Sequence, residues 1–112
     1  SDILSFHLTL TEQTKAFFDY KSLAKTKPGV IIINTSRAEI LDEQTLINGL
    51  SSGHINHCAM DVFHTEPLPA NHPFITLKSV TLTPHSAWIT SQAIDRLLWS
   101  GLHLLRKHMN NN

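Results

Sequence analysis

Val30-Ile31-Ile32-Ile33-Asn34-Thr35-Ser36-Arg37 is an apolar, β-branched run that stops abruptly in small polar residues and a guanidinium. Lys27-Pro28-Gly29 is a turn, so a strand is predicted to begin at Val30 and to end at Asn34. Two later segments share this design. Met60-Asp61-Val62-Phe63 leads to Glu66, and Val80-Thr81-Leu82-Thr83-Pro84 leads to His85. In an open parallel sheet the carboxyl ends of the strands form the crevice where ligands bind. Arg37, Glu66 and His85 are therefore expected to converge there.

The elements between these strands are predicted to be helical. Ser1 to Leu8 reads as an opening strand, Thr11-Glu12-Gln13-Thr14 resembles a helix start, and Asp19 to Lys25 a short helix. Asp42 suits the N-cap of a helix with Leu46, Ile47 and Leu50 on one face, and Gly53 supplies its stop. A strand over His57 to Val62 follows. From Phe63 to Ser79, Pro67, Pro69 and Pro73 argue for irregular structure. Val80 to Thr83 reads as a strand, and Ser91 as the cap of a last helix carrying Ile94, Leu97, Leu98, Leu102 and Leu105 at helical spacing. That helix is expected to end in the polar tail Asn110-Asn111-Asn112. Strands alternating with helices imply right-handed crossovers and an α/β fold with a parallel sheet covered by helices.

Composition excludes several classes. Nine basic residues against nine acidic leave no basic footprint for nucleic acid. No stretch approaches the roughly 18 apolar residues of a transmembrane helix, so a soluble, cytoplasmic protein is expected. The single cysteine, Cys58, sits among Asn56-His57-Cys58-Ala59-Met60 and reads as a small buried apolar residue. His54 and His57 have a ligand-like spacing, but they flank a turn into a strand and lack a cysteine pair, so no metal is expected.

Each candidate has a bland reading beside the functional one. Arg37 could be a surface arginine, but the Asn34-Thr35-Ser36 lead-in lets backbone approach a ligand, and a guanidinium forks onto a carboxylate. His85 could be satisfied by backbone, yet Pro84 restricts how it is presented, and an imidazole exchanges protons near neutral pH. Glu66 would be ordinary surface without His85, whose orientation it could hold. Asp61, ending an apolar strand, needs hydrogen-bond donors, from a ligand amide or a helix N-terminus. Trp88 and Trp99 read mainly as packing residues, with Trp88 close enough to His85 to line a pocket.

The chain resembles the carboxy-terminal half of the D-isomer-specific 2-hydroxyacid dehydrogenases. The matching stretches are Ser5 to Thr11, Lys27-Pro28-Gly29 through Arg37, Leu41-Asp42-Glu43, Ala59 to Phe63, Thr65-Glu66-Pro67-Leu68 and Thr83-Pro84-His85, in the family's order and spacing. The resemblance implies a Rossmann-like parallel sheet with flanking helices, here the second half of a nucleotide-binding domain over residues 1–90, with residues 91–112 returning toward a substrate domain. It implies that Arg37 binds the substrate carboxylate, that His85 donates the proton and that Glu66 tunes His85. Leu8, Thr9, Thr35, Ser36, Arg37, Asp61, His85 and Trp88 would lie along a nicotinamide cofactor, NAD or NADP. Pro84-His85-Ser86-Ala87-Trp88 is most similar to the glycerate dehydrogenase or hydroxypyruvate reductase branch, which implies a small 2-hydroxy or 2-keto acid substrate and a homodimer.

The sequence departs from the family in three places. Ala38 stands where glycine is usual and Thr9 where proline is usual, and if that glycine needs positive φ, alanine adds strain of roughly 1 kcal/mol. The glycines at 29, 49, 53 and 101 cannot form a G-x-G-x-x-G phosphate turn. A fragment that binds cofactor poorly by itself is the resulting expectation. The alternatives are a non-catalytic remnant serving as a binding or assembly module through an exposed sheet edge, and a lyase or isomerase using His85 and Glu66 without hydride transfer.

Overall fold

The computed structural model describes residues 1–110. Four strands, β1 (Ile3–Phe6), β2 (Val30–Asn34), β3 (Ile55–Met60) and β4 (Val80–Leu82), form one sheet in the order β1-β2-β3-β4, and every pair is parallel. Between them lie α1 (Tyr20–Leu23), a 3-10 turn (Ala38–Ile40), α2 (Glu43–Ser52) and α3 (Pro73–Thr76), and α4 (Ser91–Asn110) closes the described chain. Asn111 and Asn112 of the expected polar tail lie outside the described residues, and Asn110 is the last helical residue.

A sheet that steps in one direction through right-handed crossovers puts all its connections on one face. The burial alternates accordingly. Ile32, Cys58 and Met60 point into a core shared with Leu23, Leu46, Leu50 and Phe74, whereas Ile31, Ile33 and Ala59 are only half-buried and Ile3 is exposed. Phe6 and Phe18 meet edge-on in that core, with ring centroids 5.3 Å apart. Cys58 is fully buried, and loss of solvent pushes its thiol up to about 12, so it packs as an apolar residue.

Caps set the helix boundaries. Asp42 Oδ2 accepts from the Thr45 amide at 2.9 Å and its hydroxyl at 2.5 Å, and Gly53 ends α2 in the left-handed region at φ 76°. Asp19 caps α1. The last helix is capped by Thr90, whose hydroxyl accepts from the Ala93 amide, and Ser91 lies inside the helix.

Three other expectations change. Thr11 to Thr14 makes an isolated turn, because the Thr14 hydroxyl is drawn back to the Thr9 carbonyl at 2.7 Å and the chain then leaves through Ala16 at φ 49° to bury Phe18. The proline-rich connection holds one helical turn, α3, since Pro73 occupies a first-turn position that needs no N–H. Phe74 anchors it in the core, and His72 ties it to α2 at 3.3 Å from Glu43 Oε1. Finally, α4 buries none of its residues: Leu97, Leu98, Leu102 and Leu105 stay 57–66% exposed, and Trp99 is exposed as well.

At Gly49, α2 leaves no room for a side chain against Ile55 of β3 and Leu23 of α1. A Cβ there would sit 2.6 Å from Ile55 Cδ1, 2.9 Å from its Cγ1 and 3.0 Å from Leu23 Cδ2. Alanine is favoured over glycine within a helix by about 1 kcal/mol, but overpacking costs about 1–3 kcal/mol. Gly49→Ala is expected to destabilise the fold by about 1 kcal/mol in urea denaturation, and an unchanged or raised midpoint would contradict this packing.

Candidate active site

Arg37, Asp61 and His85 follow the carboxyl ends of β2, β3 and β4, and with Thr35, Ala87 and Trp88 they line one cleft of about 420 Å³. Two clefts adjoin it. Leu8, Thr9, Leu10, Thr35, Ser36 and Arg37 surround one of about 220 Å³, and Glu66 and His85 stand at a more apolar one of about 590 Å³ with Phe63, Leu68 and Leu82. The positive-φ glycines Gly29 and Gly53 lie at the opposite, amino ends of β2 and β3. The residues singled out in the sequence are thus brought to one edge of the sheet.

His85 Nδ1 and Glu66 Oε2 are 2.8 Å apart. The His85 bond, with a second bond from the Phe63 amide to Oε1 at 3.0 Å, holds the Glu66 carboxyl below its ordinary range. An ionised carboxylate only accepts, so Nδ1 carries the proton and Nε2 is left as the nitrogen for a further partner. The Glu66–Pro67 peptide is cis.

His85 itself adopts φ 52°. A left-handed conformation costs a residue with a Cβ roughly 1–2 kcal/mol, and surrounding bonds must hold it. Its amide bonds the Thr83 carbonyl at 3.0 Å, and the Trp88 indole donates to its carbonyl at 3.1 Å. Trp88 is therefore a half-exposed brace at the cleft, not a core residue. The strain expected at Ala38 is absent, because Ala38 opens the 3-10 turn and is not among the positive-φ residues.

Asp61 is 3% exposed, and neither a ligand amide nor a helix N-terminus is needed to satisfy it. Oδ1 accepts from the Thr83 hydroxyl and from the Ser86 amide at 2.9 Å, and Oδ2 accepts from the Ala87 amide at 2.9 Å. Burial pushes this carboxyl up, but these three donors outweigh it and hold it below its usual range.

Asn34, in the sequence only the first residue of a small polar lead-in, organises the Arg37 loop. It is fully buried, its Oδ1 accepts from the Ser36 amide and hydroxyl, and its Nδ2 donates to the Arg37 carbonyl at 2.8 Å. A polar residue ending an apolar strand was the available signal, the one that marked Asp61. Arg37 is exposed and spends one N–H on the Ser36 carbonyl, which leaves most of its donors for a ligand. His54 and His57 each bond a threonine hydroxyl, Thr26 at 3.0 Å and Thr81 at 2.9 Å.

Because Glu66 and Asp61 hold lowered carboxyls, the unfolded chain binds more protons in the acid range. Their contribution to stability is present above the ordinary values of 4.5 and 3.8, and is lost as pH falls through the lowered folded values. Urea midpoints taken from about pH 6 down to about pH 3 should fall, and Asp61→Asn should make that fall shallower. An equal slope in the variant would contradict the assignment.

A family model described as D-isomer specific 2-hydroxyacid dehydrogenase, NAD binding domain, matches residues 1–87. The D-3-phosphoglycerate dehydrogenase of Mycobacterium leprae is 43% identical over 96 residues, covering 86% of this chain and 18% of that protein. The hydroxypyruvate reductase of Blautia hydrogenotrophica is 35% identical over 98 residues, covering 88% of this chain and 30% of that protein. The NAD-dependent formate dehydrogenase of Staphylococcus aureus, solved in complex with NAD, aligns with a TM-score of 0.86 at 31% identity over 99% of this chain and 34% of its own. The chain spans about a third or less of the length of the curated relatives it matches. With this sheet and with residues 1–87 matched, the chain belongs to the D-isomer specific 2-hydroxyacid dehydrogenases, in their NAD binding domain.

Proposed function

We propose that this chain supplies the proton-donating and carboxylate-binding side of a dehydrogenase that interconverts a small 2-keto acid and its D-2-hydroxy acid, with hydroxypyruvate and D-glycerate as the substrate pair. The observation that carries this reading is the 2.8 Å His85–Glu66 pair on a residue that also lines the Arg37 cleft. In reduction, Arg37 grips the substrate carboxylate and draws charge from the adjacent carbonyl. His85 Nε2 gives its proton to the carbonyl oxygen, while Glu66 keeps Nδ1 protonated and stabilises the ring in both charge states. In oxidation the same nitrogen takes the proton back.

A bound nicotinamide nucleotide supplies or receives the hydride. The residues at the cleft fit its nicotinamide end. A carboxylate has about four acceptor positions, Asp61 uses three, and the remaining one is available to an amide at a cleft of ligand size flanked by Thr35 and Trp88. Ser36, Leu8 and Thr9 extend the lining away from His85. No glycine-rich phosphate turn is found among the described residues, so the cofactor contacts proposed for this chain are those of the nicotinamide end. Residues 1–90 are accordingly read as part of the nucleotide-binding domain and residues 91–112 as the segment returning toward the substrate domain. A cytoplasmic homodimer completes the reading, supported by the buried, unpaired Cys58 and by the exposed apolar face of α4.

The test is NADH titration by fluorescence followed by NADH oxidation with hydroxypyruvate. His85→Ala is expected to lower kcat by about 100- to 10,000-fold. Arg37→Lys should raise KM despite the retained charge, because a point ammonium cannot fork onto a carboxylate. Wild-type rates in both variants would overturn the site assignment.

A further inference from the structure

We infer that Asp61 is a positioning residue that sets the orientation of His85 by clamping both sides of its loop. The inference rests on the reading of His85 as the proton donor. The three groups that satisfy the buried Asp61 carboxylate all come from Thr83 to Ala87, and they bracket His85: Thr83 and Ser86 share Oδ1, and Ala87 takes Oδ2. His85 stands between them in the left-handed region, a conformation that relaxes unless its neighbours are fixed. The ring then reaches Glu66, which belongs to a different loop and is itself exposed, so the pair closes only when the His85 backbone is held from below.

The backbone and the side chain of Asp61 serve different parts of the fold. Its amide bonds the Asn34 carbonyl at 3.0 Å, which locks the end of β3 against β2, while all three donors to its side chain come from the loop after β4. The charged groups facing His85 are Glu66 from the loop after β3, Asp61 from the end of β3 and Arg37 from the loop after β2.

The test compares amide hydrogen exchange and the His85 ring tautomer, read from ring nitrogen chemical shifts, in the full chain and in Asp61→Asn and Thr83→Val. An asparagine can accept through one atom only, so one of the Ser86 and Ala87 bonds is lost; Thr83→Val removes one donor and leaves the Asp61 charge in place. In Asp61→Asn, exchange at Ser86 or Ala87 should rise on the order of tenfold or more, as expected for one lost charge-assisted bond. The neutral ring should shift from Nδ1–H toward the mixture of an unpaired imidazole. Thr83→Val should move the tautomer the same way by a smaller amount, which a simple loss of charge would not do.

Amides of Ile32 and Cys58, deep in the sheet, report whether the fold is intact. If they lose protection in Asp61→Asn, Thr83→Val decides alone. An intact fold with an unmoved tautomer overturns the inference. Its failure is separable from failure of the proposed function. A ring that moves while the unsubstituted chain oxidises no NADH with hydroxypyruvate keeps the positioning role and removes the reaction, and turnover with an unmoved ring does the reverse.

Discussion

A carboxylate buried at the end of β3 has to find donors, and the way Asp61 finds them shapes the whole carboxyl edge of the sheet. An ionised group left unpaired in the interior costs several kcal/mol, so the bonds from Thr83, Ser86 and Ala87 are a requirement of burial. Meeting it fixes the loop after β4 to the end of β3. Asn34 meets the same requirement one strand away, by turning the Thr35 to Arg37 loop back onto its own side chain. The Asp61 amide bonds the Asn34 carbonyl, so the two loops are referred to one another through adjacent strands. Polar residues at the ends of apolar strands therefore place a guanidinium and an imidazole on one cleft.

Strand order determines where that edge faces. Stepping from β1 to β4 in one direction keeps α1, α2 and α3 on one side, and the core follows, with Ile32, Cys58 and Met60 inside and Ile31, Ile33 and Ala59 only partly covered. Turn glycines collect at the amino ends, where the chain must reverse tightly, while the side chains with chemistry collect at the carboxyl ends. The division separates the part of the sheet that closes the fold from the part that meets a ligand.

The proline-rich connection shows how tertiary contacts overrule a local reading. Its prolines argue against regular structure, yet Pro73 starts one helical turn because Phe74 is drawn into the core and the His72 ring accepts from the Phe74 amide. Glu66 lies upstream of that turn and is held by the Phe63 amide and by His85. The last helix shows the converse. Its apolar stripe is plain in the sequence, but all of Leu97, Leu98, Leu102 and Leu105 remain exposed, since amphipathic spacing states that a face is apolar and not what covers it.

What the sequence determined by itself was the set of strands and the candidate residues at their ends. Hydrophobic runs ending in Arg37, Asp61 and His85, the caps Asp42 and Gly53 and the turn at Lys27 to Gly29 are all local signals, and the strands and α2 form where these signals put them. Tertiary structure alone decided the pairings: which donors satisfy Asp61, that strain falls on His85 and not on Ala38, that Thr11 to Thr14 stays a turn, and that Asn34 braces the Arg37 loop. These depend on distances between residues far apart in the chain, such as Asp61 and Ala87, and a buried polar group announces that it needs a partner without naming it.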